Sequence, residues 1–189
     1  MSDRSWRRYA EWATPNLLSA LRLFCAPLLL TLLQRGFRCA TLIVLVACAV
    51  SDFLDGHLAR KFSVESKFGA VLDPVADKVF LNCATWGLVV HLGWSLEWVA
   101  IAVTLTLRDL ALLVIGGVSI VTKKSVDMKP VLLSKACTAL VFALCVLTLM
   151  LDYGSLLLRI LRPLCLVCIC LTAVIYAKRG YRSLTRTAP

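Results

Sequence analysis

The sequence is poor in acid and almost without histidine. Eleven Asp and Glu stand against 21 Lys and Arg, and there are two His in 189 residues. It also lacks the polar content of a soluble domain, since 60% of its residues are hydrophobic where about half is usual. That composition excludes an ordinary soluble fold. The net charge of +10 would otherwise suggest nucleic acid, but the basic residues lie between apolar runs, as cytoplasmic loops facing anionic lipid do. A disulfide framework is not implied. The nine cysteines are an odd number, and most sit inside apolar runs, where cysteine acts as a small hydrophobe. Cys165, Cys168 and Cys170 are close together but have no histidine nearby, so they are not read as a zinc site. The first apolar run has no small-residue cleavage site before a soluble mature domain, and no removable signal peptide is expected. No second domain, linker, internal repeat or low-complexity segment interrupts residues 1–189.

What the chain does have is six apolar runs, each near the ~20 residues a bilayer needs. Residues 1–13 interleave Arg4, Arg7 and Arg8 with Trp6, Tyr9 and Trp12, the pattern of a short helix lying among lipid headgroups. Thr14-Pro15-Asn16 then opens the first span, to about Leu33, with Arg22 inside it. The others are expected over about Cys39–Arg60, Phe68–His91, Leu96–Val121, Pro130–Leu151 and Leu156–Ala177. Six spans put both termini on one side. The basic residues of the N-terminus, the 60–67 and 123–129 loops and the C-terminal tail then share that face, which the positive-inside rule makes cytoplasmic. The expected fold is an all-α integral membrane protein with a short N-terminal interfacial helix, in a bacterial inner membrane.

Acid is scarce, yet four aspartates fall within 26 residues, DFLDGHLARKFSVESKFGAVLDPVAD. Asp52 and Asp55 are three apart, Asp73 and Asp77 four apart, spacings that share a helix face. A carboxylate at membrane depth costs about 2.5–3.5 kcal/mol on insertion scales. Four of them call for cations. At about 100° per residue, Asp52, Asp55, Gly56 and Ala59 lie on one stripe with Arg60 at its edge. Small residues let a ligand approach the backbone, and arginine offers a fork to phosphate oxygens. Facing the second and third helices would gather four carboxylates, an all-oxygen set suited to two magnesium or manganese ions. Such ions would neutralise a diphosphate during phosphate-bond exchange, while a carboxylate takes a proton from an attacking hydroxyl. Two other readings use the same acids: salt bridges to Arg60, Lys67 and Lys78, and the permeation site of a divalent-cation transporter. The second leaves Gly56, Ala59 and Arg60 without a purpose.

The pattern Asp52-xx-Asp55-Gly56-xx-Ala59-Arg60, eight residues, Gly69-xxx-Asp73-xxx-Asp77 resembles the full signature of the CDP-alcohol phosphotransferases, matching at all eight fixed positions. The six-run layout and the Pro15-Asn16-Leu17-Leu18 opening extend the likeness over nearly the whole chain. The resemblance implies an all-helical membrane enzyme, usually a homodimer. It would move a substituted phosphate from a CDP-linked donor to an alcohol and release CMP. It implies that Asp52, Asp55 and Asp73 ligate metal, and that Asp77 both ligates metal and serves as general base. Gly56, Arg60, Ser66 and Gly69, with Asn16, would hold the CDP donor. His57 falls at a variable position and is read as packing.

The opening TPNLLSALRLFCAPLLL resembles the branch that uses CDP-diacylglycerol with a glycerol-phosphate-type acceptor. Within that branch, the short chain favours glycerol-3-phosphate as acceptor. Asp109 and Cys137, where Glu and a second Lys are usual, lean toward cardiolipin synthesis from phosphatidylglycerol. Arg22, Arg108 and Lys135 are expected to bind the acceptor's phosphate, as cations at similar depth with too few acidic partners.

Overall fold

Apolar runs of this length satisfy their backbone hydrogen bonds without water by coiling into helices. The computed structural model describes residues 21–62, 69–122 and 132–185, with side chains for 21–51, 75–115 and 133–180. The described residues form six helices: α1, seen over Leu21–Gln34, α2 (Arg38–Phe62), α3 (Gly69–His91), α4 (Leu96–Thr122), α5 (Leu132–Met150) and α6 (Leu156–Thr185). The starts and ends of α2 to α5 follow the expected spans within about two residues. α6 departs from expectation. It runs eight residues past Ala177, so Lys178, Arg179 and Arg182 ride on the helix instead of in a free tail. Lys and Arg are good helix formers, and water or headgroups satisfy the emerging carbonyls. α3 continues through Pro74 without a break. By length and composition α4, α5 and α6 are apolar enough to cross a membrane. The apolar parts of α1 and α2, Leu21–Gln34 and Arg38–Ser51, are shorter among the described residues. The N-terminal interfacial helix expected over 1–13 lies outside the described residues.

The chain divides into two units, residues 1–91 and 92–189. In the first, α1 and α2 form an antiparallel hairpin. α1 ends in a Schellman motif: the N–H of Phe37 donates to Leu32 O (3.0 Å) and that of Gly36 to Leu33 O (3.0 Å). This requires the left-handed backbone of Gly36, φ +77°. Cys48 of α2 comes back beside Cys25 and Arg22 of α1. α3 runs parallel to α1. Arg22 meets Asp77 near one end, and His91 Nδ1 lies 2.9 Å from Leu33 O at the other. Between these, a Cβ on Gly87 would stand 2.5 Å from Leu33 Cδ1, so the two helices approach closely there. Arg38 Nε donates to His91 Nε2 (3.3 Å) and ties the start of α2 to the same end.

In the second unit α6 packs against both α4 and α5. Its buried stripe is Leu158, Arg162, Cys165, Ile169, Thr172 and Tyr176, at alternating spacings of four and three. α4 contributes Trp98, Ile101, Ala102 and Leu105, and α5 Cys137, Val141, Leu144 and Cys145. Buried threonines bond their own helix: Thr148 Oγ1 donates to Leu144 O (2.7 Å) and Thr172 Oγ1 to Ile169 O (2.8 Å). Arg162 locks the start of the unit. It is 4% exposed. Its Nε donates to Leu158 O (3.0 Å) and its Nη2 to Tyr153 O (3.1 Å). Nη1 is paired with Glu97 of α4, and the guanidinium carbon lies 4.3 Å from the centre of the Tyr153 ring. All nine cysteines are free thiols, four of them buried, as their placement in apolar runs implied.

Candidate active site

The site grows out of the buried faces of three helices. On α2 the buried residues are Thr41, Leu45 and Cys48. Continued at the same spacing, that stripe passes through positions 52, 55 and 59, the first half of the aspartate pattern. On α3 the buried residues are Ala76, Phe80, Leu81 and Ala84, and Asp77 stands beside Ala76 with part of its side chain open. Arg22 of α1 stands between these two stripes. It is 5% exposed, lies beside Cys48 on α2, and forms an ion pair with Asp77 on α3. Arg22 thus lies against α2 at Cys48 and against α3 at Asp77, the last position of the aspartate pattern. Asp77 keeps 43% of its side-chain surface open, so one side of its carboxylate is accessible.

Asp52, Asp55, Gly56 and Arg60 lie on the last turns of α2, and Gly69 and Asp73 on the first turns of α3. Their side chains lie outside the described residues, as do Asn16 and Ser66 entirely. The chemistry of the donor set is all carboxylate oxygen, which fits hard divalent ions. Asp77, the one carboxylate of the set that is described, already faces a cation.

A family model for CDP-alcohol phosphatidyltransferase matches residues 12–176. The chain belongs to the CDP-alcohol phosphatidyltransferase family. The match covers the aspartate pattern and all of α1 to α5 as described. Among curated proteins, the chain is 41% identical over 103 residues to a CDP-diacylglycerol–glycerol-3-phosphate 3-phosphatidyltransferase of Cereibacter sphaeroides, covering 51% of this chain and 45% of that protein. It is 36% identical over 112 residues to the protein of the same name from Aquifex aeolicus, covering 58% and 61%. It is 37% identical over 115 residues to a cardiolipin synthase (CMP-forming) of Streptomyces coelicolor, covering 55% and 50%. The chain spans about half the length of the curated relatives it matches.

In this member of the CDP-alcohol phosphatidyltransferase family, two of the three cations assigned to the acceptor's phosphate have acidic partners, which corrects the premise of that assignment. Arg22 is on Asp77. Arg108, 4% exposed, donates from Nε (3.0 Å) and Nη2 (2.8 Å) to Asp109 Oδ1. Its Nη1 lies 3.3 Å from Cys137 Sγ on α5. Adjacent helix positions do not normally face each other. Both residues are buried, and among the described residues Asp109 is the acid paired with Arg108, whose guanidinium folds back onto it. Lys135 is exposed, two residues or about 200° around α5 from Cys137. The described contacts therefore do not bring Arg108 and Lys135 together. The buried Arg162 with Glu97 and Tyr153 escaped the reading of the sequence altogether. Its signal was an arginine well inside the apolar run LLLRILRPLCL, at a depth where only a paired charge is tolerated.

Proposed function

We propose that this protein is a metal-dependent phosphatidyltransferase. It transfers the phosphatidyl group of CDP-diacylglycerol to a hydroxyl of glycerol-3-phosphate and releases CMP. The observation that supports the reading is the ion pair of the buried Arg22 with Asp77, the last aspartate of the pattern, beside Cys48 of α2. The names of the relatives from Cereibacter sphaeroides and Aquifex aeolicus support the donor and the acceptor. Asp52, Asp55, Asp73 and Asp77 would hold two magnesium or manganese ions. Bound there, the ions neutralise the diphosphate and stabilise the charge that builds on the leaving CMP.

The chain's own groups do the rest. Gly56 and Gly69 allow the nucleotide close to the backbone, while Arg60, Ser66 and Asn16 bond it. Asp77 accepts the proton of the acceptor's hydroxyl as that oxygen bonds to the phosphorus carrying diacylglycerol. The bond from that phosphorus to the oxygen of CMP breaks, and CMP leaves with the electron pair. In the loaded site Arg22 would exchange Asp77 for a phosphate oxygen. Lys135, exposed on α5, carries the acceptor-phosphate assignment more directly than the Asp109-bound Arg108. We read the molecule as six membrane spans, a homodimer, with the site opening to the cytoplasm of a bacterial cell. A second reading, phosphatidylglycerol as the acceptor, is favoured by the cardiolipin synthase relative.

The test is CMP release by purified protein from labelled CDP-diacylglycerol, with glycerol-3-phosphate and phosphatidylglycerol offered separately. Turnover with glycerol-3-phosphate alone is expected. Turnover with phosphatidylglycerol alone moves the assignment to the second reading. Metal flux into liposomes with no CMP release under any condition would remove the enzyme reading. Asp77→Asn should abolish turnover while CDP-diacylglycerol still binds, and substantial residual turnover would dismiss Asp77 as the base.

A further inference from the structure

A cleft of about 470 Å³ opens in the second unit between the start of α4 and the 152–155 turn before α6, lined by Ser95, Leu96, Glu97, Tyr153, Gly154, Arg159 and Arg162. That volume lies in the range of small-ligand sites, roughly 300–1,000 Å³. Its floor is rigid. The buried Arg162 is fixed by Glu97, by Tyr153 O and by Leu158 O, and Tyr153 covers its guanidinium. The Tyr153 hydroxyl is in turn 2.7 Å from Ser95 Oγ. Glu97 is spent on Arg162, so the positive charge left in the cleft is that of Arg159. Arg159 stands one turn before Arg162 on α6, is exposed, and has no side-chain partner among the described residues. The positive ends of the α4 and α6 dipoles add to the same sign.

The rim is apolar. Leu96 is 84% exposed and Leu156 71%, with Ile160 and Trp94 also largely uncovered. Trp94 is held at φ 60°, a strained backbone for a bulky residue, and its ring stays on the surface. Both helices that frame the cleft are apolar enough to cross a membrane, and the cleft sits at their ends. Trp and Arg at the end of a spanning helix mark the headgroup layer. We infer that this cleft binds the phosphate of an anionic phospholipid, with Arg159 on the phosphate, the Ser95 and Tyr153 hydroxyls on the polar headgroup, and the acyl chains along Leu96, Leu156 and Ile160. In the six-span reading the site belongs to the leaflet away from the aspartate pattern, so it is separate from the donor site. The bound lipid clamps the α3–α4 and α5–α6 turns together.

The experiment is thermal unfolding of the full chain in detergent micelles with added dioleoyl phosphatidylglycerol, dioleoyl phosphatidylcholine or inorganic phosphate. Phosphatidylglycerol should raise the Tm of the wild type, and the other two should not. Arg159→Gln should weaken the dependence on phosphatidylglycerol about tenfold, the size of one charge-assisted hydrogen bond, and Arg159→Lys should keep part of it. CMP release should be unchanged in both. Native mass spectrometry should find one fewer retained phosphatidylglycerol on Arg159→Gln. Because the comparison is between variants, lipid held elsewhere cancels. An equal response of wild type and Arg159→Gln overturns the site. An equal response to phosphatidylcholine reduces it to acyl coverage with no headgroup site, and a shift with inorganic phosphate alone rejects a lipid as the ligand.

Discussion

Arg108 and Asp109 are consecutive and both almost fully buried, at 4% and 3% exposure. Burying an ion pair gains little over an apolar pair of the same volume, but removing one partner strands the other charge. Arg108→Leu alone is therefore expected to destabilise by about 3–5 kcal/mol, and Arg108→Leu with Asp109→Leu by clearly less than either single change. Thermal unfolding of the three variants in detergent checks this, and additive losses would contradict it. Lys135 is different because it is exposed. Lys135→Ala should leave the Tm nearly unmoved and raise the KM for the acceptor well above any change in the KM for CDP-diacylglycerol. Equal effects on both KM values would remove it from the acceptor site. None of these partnerships was legible in sequence. The Arg108–Asp109 pair joins neighbours that do not normally face each other on a helix, and only burial makes the guanidinium fold back.

At the scale of elements, α1 and α3 approach closely at Gly87, where even one Cβ would press on Leu33 Cδ1 and sit 3.2 Å from Leu30 Cδ2. Leu33 is 1% exposed and has little room to turn aside. Gly87→Val should cost about 1–3 kcal/mol as an overpacked contact. Leu33→Ala added to it should recover part of that loss, whereas Leu33→Ala alone destabilises by opening a cavity. Paired Tm values decide the sign of the coupling. Helix positions were readable beforehand to within about two residues for α2 to α5, because each begins and ends where apolar residues give way to Gly, Pro or charge. The extension of α6 to Thr185 was missed, since a change from apolar to basic residues ends a membrane span without ending a helix.

For the whole molecule, the six-span reading places Gly154 and Lys124 on opposite sides of the membrane. With the nine native cysteines replaced by serine or alanine, a membrane-impermeant maleimide should label Gly154→Cys and not Lys124→Cys in intact cells, and permeabilised cells should label both. Labelling of Lys124→Cys in intact cells would reverse the orientation and turn the aspartate pattern away from the cytoplasm. The positive-inside argument rests on where 21 Lys and Arg fall along the chain, so it needed no coordinates.

The linear sequence determined the family, the all-helical class and the positions of the four aspartates on their helices. Each follows from local spacing and from the need to close every backbone hydrogen bond in lipid. Tertiary structure alone decided which side of each helix is inside. Along α6 the buried Leu158, Cys165 and Ile169 and the exposed Leu157, Leu164 and Leu171 are equally apolar. Lipid and protein core make the same demand on such residues, so composition does not separate the two faces. The pairing of Arg22 with Asp77 and of Arg162 with Glu97 had to wait for the packing of helices distant in sequence.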